Sequence, residues 1–489
     1  MFMSHMARWA LQIAMISRNR QDARRAWRPS AALITLGLLL VATFAFGGSA
    51  RGDELGLTVL RPASAIALVF SLYLLTYQVI DAHKFWLGWF VAIVALTAAH
   101  LLPLPPMIWH RLPGRELAIE ADMLLSAQDA WRPVSLSPEL TRNALWSMLG
   151  PLACFLLMIQ LRRWEVICAF LLVLLLGLIS GLISVLQISQ GPESALYFYR
   201  IANVGSGVGF FANRNHQAVL LVCLIPIGFG LTCLTMRRDG PRNSANIMTM
   251  AKWAMALGAV FVFSLVMVTG SRAGLLLYGA AMILTFIYSA SSRSDSKDSI
   301  GMARSSSVVW KLSSQRNALM ILLVVIVAAV LLSGRADTLK RLTNRGAGDE
   351  ARWTIFDPLV SAILHFMPVG SGIGSFDPVF RGFEKPELLT PTYWNHAHND
   401  WAEIAMTGGA PALLVVAVAL FWLARHYAGV LANGLSRTTS ELYSFIGGSV
   451  LALTAISSFV EYPLRVPIMN CVFVMAVALI SQARLTASR

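Results

Sequence analysis

Charge is what this sequence has least of. Only 13% of its 489 residues are Asp, Glu, Lys or Arg, where a soluble globular chain carries about 25%. No water-facing surface could be built from so few, which excludes a soluble enzyme, a disordered scaffold and a secreted repeat protein. Cysteine is scarce as well. Cys154, Cys168, Cys223, Cys233 and Cys471 all sit inside apolar runs, so there is no disulfide framework and no paired zinc motif. They read as small buried hydrophobes. What remains is a chain that is 56% hydrophobic: a polytopic membrane protein.

A spanning helix needs roughly 20 apolar residues. About twelve such stretches begin near Ala31, Ala63, Phe85, Asn143, Glu165, His216, Trp253, Arg272, Asn317, Glu403, Leu442 and Val466. The seventh and eighth are parted only by Thr269-Gly270-Ser271-Arg272; joined, they would exceed any single span. When loops are assigned alternately to two sides, one side collects 22 basic residues against seven acidic, and the other 17 against 18. By the positive-inside rule the first side is cytoplasmic and holds both termini. The net charge of +14 is therefore a topology signal, and no nucleic acid partner is needed. The basic stretch before the first apolar run is too long for an ordinary cleavable signal, so the first span reads as a retained anchor. The expected organisation is an N-terminal bundle of about nine spans (1–333), an outer loop (334–401) and about three C-terminal spans (402–489). Long non-cytoplasmic loops suggest chemistry at the outer membrane surface.

Several clusters on that outer side could carry it. Asn213-Arg214-Asn215-His216 opens the sixth span, and Gly270-Ser271-Arg272-Ala273-Gly274 forms the turn before the eighth. An arginine deep in hydrocarbon costs about 2.5–3.5 kcal/mol and usually has a partner; an interfacial arginine snorkelling to lipid phosphate is the plainer alternative. In the long loop, Asp357-Pro358 reads as the cap and first turn of a helix. Trp353, Phe356, Leu359, Val360 and Ile363 then fall near one face, on the leaflet or against the bundle. Gly370-Ser371-Gly372-Ile373-Gly374 could offer N–H groups to an anion or be a tight turn. In His396-Ala397-His398-Asn399-Asp400-Trp401-Ala402-Glu403, Asp400 and Glu403 read as a capping box. A neutral His398 before that helix could serve as general base; structural histidines or a metal pair are the other readings. Glu461-Tyr462-Pro463-Leu464-Arg465 reads as a charged turn that brings another arginine to this side.

In combination, from about Gly205 to about Pro467, these motifs resemble the O-antigen ligase and polymerase superfamily of envelope glycosyltransferases. The resemblance rests on Asn213–His216, Ser271–Gly274, Arg352-Trp353, Gly370–Gly374, His396–Asp400 with Gly408-Gly409, and Glu461–Arg465. Ala412 stands where the family more often has glycine. The resemblance implies an all-α polytopic protein of the C-type glycosyltransferase kind in the bacterial inner membrane, with a periplasmic site. It implies a glycan donor linked to undecaprenyl diphosphate, no cofactor and no metal. The acceptor would be a growing polysaccharide, a lipid A core or a protein. His398 and His396 would be catalytic, while Arg214 and Arg272, helped by Arg352 and Arg465, would hold the diphosphate. Asn213, Asn215, Asn399, Asp400 and Glu403 would support them. A transporter or flippase is the rival class, and would place charges at mid-span and on both faces.

Overall fold

The computed structural model describes residues 28–52, 54–238, 245–291, 355–384, 394–432 and 438–487. Along the described chain run α1 (Ala31–Phe46), α2 (Leu57–Tyr73), α3 (Tyr77–Ala99), α4 (Pro106–Trp109) and α5 (Glu116–Leu124). Then come α6 (Pro138–Ser147), α7 (Leu149–Met158), α8 (Arg163–Gln190), α9 (Arg214–Arg238), α10 (Ala245–Thr269) and α11 (Arg272–Ser291). The last set is α12 (Phe356–Phe366), α13 (Phe376–Phe380), α14 (Asp400–Ala432), α15 (Thr439–Ser457) and α16 (Pro467–Ala487). The protein is an all-α polytopic membrane protein. A two-residue antiparallel ladder, Pro103-Leu104 with Arg132-Pro133, is the exception among the described residues.

Eight described helices are long and apolar enough to cross a membrane. Eleven of the twelve expected spans fall on described helices; the ninth, near Asn317, lies outside the described residues, as does Arg352. The first two are shorter than expected, at 16 and 17 residues. The fourth is two segments that meet at Met148. The split between the seventh and eighth falls at Gly270, whose φ of +64° reverses the chain in one residue. Glycine takes that conformation without steric cost.

The core lies where the C-terminal helices meet the middle of the chain. In α16, 72% of the apolar window is buried, against 17% in α3, so α16 is the axis and α3 faces lipid. Small residues allow the close approaches, with Gly447 against Ile480 and Gly230 against Ile446, as expected where lipid supplies no hydrophobic drive between helices. At one end, buried Glu165 ties distant segments together, accepting from Ser30 N–H at 2.7 Å and Arg162 N–H at 2.9 Å. At the opposite end lie the turns after α1, α3, α8, α10 and α15, cross-linked by bonds such as Ala212 N–H to Gly48 O (3.0 Å) and Asp400 N–H to Ser458 O (2.9 Å).

Two caps differ from the sequence reading. Asn399, not Asp400, caps α14: its Oδ1 accepts from Ala402 N–H at 3.0 Å. Asp400 is already inside the helix, its carboxylate turned to other partners. In α12 the cap position is Ile355, without a side-chain bond, and Asp357 sits in the first turn. There its charge favours the helix dipole. The buried stripe of α12 is Leu359, Ala362 and Phe366, next to Ile355, while Phe356 and Val360 face outward.

α14 is broken at Gly409, which has φ +61°. The glycine-rich segment docks into the break: Ser371 and Gly372 N–H donate to Met406 and Thr407 O, and Ala410 N–H to Pro368 O. Ile373 N–H donates to His100 Nδ1 at 3.1 Å. With those N–H groups engaged, the segment is a tight turn that holds the first two turns of α14.

Candidate active site

Glu461 is the centre of the polar cluster at this end. It is fully buried, and Asn215 and Asn213 amides donate to its two oxygens, the latter at 3.4 Å. His398 Nδ1 lies 3.3 Å from Oε2 and His216 Nε2 3.9 Å from the same oxygen. His398 Nδ1 is buried beside this carboxylate without a regular hydrogen bond to it. His398 itself has φ +48°, a conformation uncommon outside glycine.

The second histidine has its own carboxylate. His396 Nδ1 is 3.1 Å from Glu403 Oε1, and Ala397 N–H donates to Glu403 Oε2 at 3.0 Å. Arg465 joins from the other side, with Nε 3.2 Å from Asp400 and Nη2 3.5 Å from Glu403. Burial opposes the Arg465 charge, but the Glu403 and Asp400 carboxylates outweigh it and hold its pKa above the usual value. Ser458 Oγ and Leu464 N–H complete Asp400.

Tyr462 stands between the two pairs. Its ring centroid is 4.6 Å from His396, 4.8 Å from His398 and 4.8 Å from His216. Burial, reinforced by Glu461, pushes its hydroxyl up to about 12, against bonds from Asn213 and Asn395 that lower it. The phenol therefore stays protonated.

Arg214 and Arg272 are the half-buried first residues of α9 and α11. These helix starts are tied together: Asn215 N–H donates to Asn213 Oδ1 (2.8 Å), and Ser271 Oγ donates to Asn215 Oδ1 (2.7 Å). Ser271 Oγ also accepts from Gly274 N–H. Arg214 Nη1 lies 3.4 Å from Ser206 Oγ. Two helix N-termini, each led by a guanidinium, make a place suited to an anion. Beside the cluster opens a cavity of about 1210 Å³, with Asn395, His396, Glu403 and Arg465 at its polar end and Trp86 and Leu423 among its apolar walls.

The structure thus brings together His396, His398, Asn213, Asn215, Asp400, Glu403 and Arg465, with Arg214 and Arg272 joined through Asn215 and Ser271; Asn399 serves as a helix cap. The sequence reading missed Glu461 and Tyr462 as members. The available signal was a lone carboxylate at the same membrane edge as Asn213–His216.

Fold and site together define a multi-pass membrane protein with two imidazole–carboxylate pairs buried at one end of its bundle. Residues 257–417 match the family model described as O-Antigen ligase (Wzy_C). The chain therefore carries a domain of the O-antigen ligase family. The match contains Arg272, His396, His398, Asp400 and Glu403, and ends before Glu461. No curated protein matches the chain.

Proposed function

We propose that this protein is a glycan polymerase of the bacterial inner membrane, acting at the periplasmic face without a metal. It transfers glycan from undecaprenyl diphosphate to a sugar hydroxyl of an acceptor chain, in exopolysaccharide or O-antigen synthesis. The observation that carries this reading is the His398–Glu461 contact of 3.3 Å, set beside helix starts led by Arg214 and Arg272. Glu461 near Nδ1 favours the tautomer in which Nε2 can accept a proton. The acceptor oxygen attacks the anomeric carbon, its proton passes to His398 Nε2, and the bond from that carbon to the diphosphate oxygen breaks. Arg214 and Arg272 receive the growing charge on the departing diphosphate, to which a guanidinium fork offers paired charge-assisted bonds. Arg465, against Asp400 and Glu403, fixes the Glu403 carboxylate that meets His396 and so positions that ring; Arg352 remains a proposed further contact to the donor. The apolar cavity suits the isoprenoid tail.

The test uses purified full-length protein, a lipid diphosphate-linked glycan and an acceptor glycan, with chelator present. Wild-type transfer should persist in chelator and be lost in His398→Ala. Transfer surviving in that variant removes the base assignment, and chelator sensitivity restores a metal reading. Elongated lipid-linked chains identify polymerisation, whereas transfer only to lipid A core makes the protein a ligase. Arg214→Ala and Arg272→Ala should weaken donor binding.

A further inference from the structure

The two helices that flank the site end of the bundle, α5 and α12, share an unusual division of their surfaces. At roughly 100° per residue, α12 falls into three sectors. One is buried, with Ala362, Phe366 and Leu359. The second is apolar yet exposed: Phe356 (53%), Val360 and Leu364 (70%), spaced four apart. The third is polar, with Asp357, Ser361 and His365. A helix between protein and water needs only two of these.

α5 shares the exposed apolar sector, although Met123 (58%) is exposed on the far side of its glutamates. Its protein-facing sector buries Asp122, paired with Arg132. Leu117 (79%) and Leu124 (88%) stand outside, with Leu125 beyond the helix end. Glu116 and Glu120 form the adjoining polar edge. The two polar edges approach at one exposed point, His365 Nε2 lying 3.5 Å from Glu116 Oε2. Beneath them Arg115, fully buried, donates to Pro113, Val134 and Gly370 carbonyls and sits 5.8 Å from the Phe366 ring centroid. The exposed apolar sectors cannot both close on each other and meet at their polar edges.

We propose that α5 and α12 form a shelf lying in the lipid headgroup–acyl boundary of the site-end leaflet. The buried sector meets protein, the apolar sector enters lipid and the polar sector faces water, as an in-plane amphipathic helix requires. Lipid is the occupant because the apolar sectors continue the lipid-facing surface of the bundle. Leu102, Met107 and Ile108, also exposed, bridge from the end of spanning α3 toward α5. This proposal does not depend on the reaction catalysed.

The experiment places the photoreactive residue p-benzoylphenylalanine at Leu124, Leu364 or Phe356, and for contrast at Glu120 or Ser361. The full chain is reconstituted in phosphatidylethanolamine–phosphatidylglycerol vesicles containing tritiated phospholipid. After illumination, the first three positions should carry lipid adducts severalfold more often than the contrast pair. Equal labelling across both sets overturns the shelf, as does intermolecular protein cross-linking at Leu124 and Leu364, which assigns the surface to a second copy or a partner. Melting temperatures near wild type identify folded variants; Leu117 and Val360 replace any that fail, with the same criterion.

Discussion

At the scale of single residues, His398 meets two opposed demands. Its φ of +48° places it in a region that costs a non-glycine residue on the order of 1–3 kcal/mol, while its ring must reach Glu461. His398→Gly should therefore melt above His398→Ala, by about 1 kcal/mol of stability, while both lose transfer by on the order of 10²–10⁴-fold. Denaturation and transfer assays on the same two proteins check this; a glycine variant less stable than the alanine one removes the strain argument. Tyr462 separates shape from polarity in the same way. Tyr462→Phe keeps the three imidazole contacts and loses only the hydroxyl between Asn213 and Asn395, a cost of about 1 kcal/mol. Tyr462→Ala opens a cavity worth about 3–5 kcal/mol. Paired unfolding midpoints test the ratio. His396 and His398 were legible because two histidines before a helix start stand out in any membrane protein. Glu461 was not, since its burial comes from Asn213, Asn215 and His398, all remote in sequence.

Elements are positioned by backbone breaks and by what fills them. A Cβ at Gly409 would lie 2.3 Å from Pro368 O, at a backbone φ of +61°. Gly409→Ala should release the docked glycine-rich turn, cost at least about 2 kcal/mol and lower transfer, although residue 409 touches none of the histidines or carboxylates. Thermal unfolding with transfer measurements decides it; a fully active, equally stable variant refutes the docking role. His100 adds a pH dependence to the same junction. Burial, aided by Arg115, holds its imidazole down to about 4 from 6.5, and only the neutral ring can accept from Ile373 N–H. The unfolded chain takes up this proton at higher pH than the folded one, so the contribution is complete above pH 6.5. It is lost progressively as pH falls from 6.5 toward 4. Melting temperature between pH 7 and 4 should fall more steeply in wild type than in His100→Gln. The helices themselves were legible from apolar length, and the hairpin at Gly270 from the impossibility of a double-length span. The α14 cap was misplaced by one residue because Asn399 and Asp400 are both good caps; only the pull of Ser458 and Arg465 on Asp400 decides between them.

For the molecule as a whole, the sequence carried the class well, since hydrocarbon tolerates few alternatives to long apolar helices, but of the twelve expected spans only eight described helices are long and apolar enough to cross. It carried assembly poorly. Nothing local announces that α9 and α11 are joined through Asn215 and Ser271. If that bond couples the two arginine-led helix starts, Asn215→Ala and Ser271→Ala should each weaken donor binding, and the double variant should lose less than the sum of the single losses. Strict additivity would show that the two helix starts work independently.

The bond between Asn213 and Glu461 crosses 248 positions of chain. A ribosome must therefore translate everything ahead of Glu461 before that carboxylate emerges, and α16 must still insert behind it. Until then a nascent copy would hold its arginines and imidazoles without the acid that gathers them. If the proposed site is right, such an intermediate would be inert toward substrate, so termination anywhere ahead of Glu461 would leave an inactive remnant.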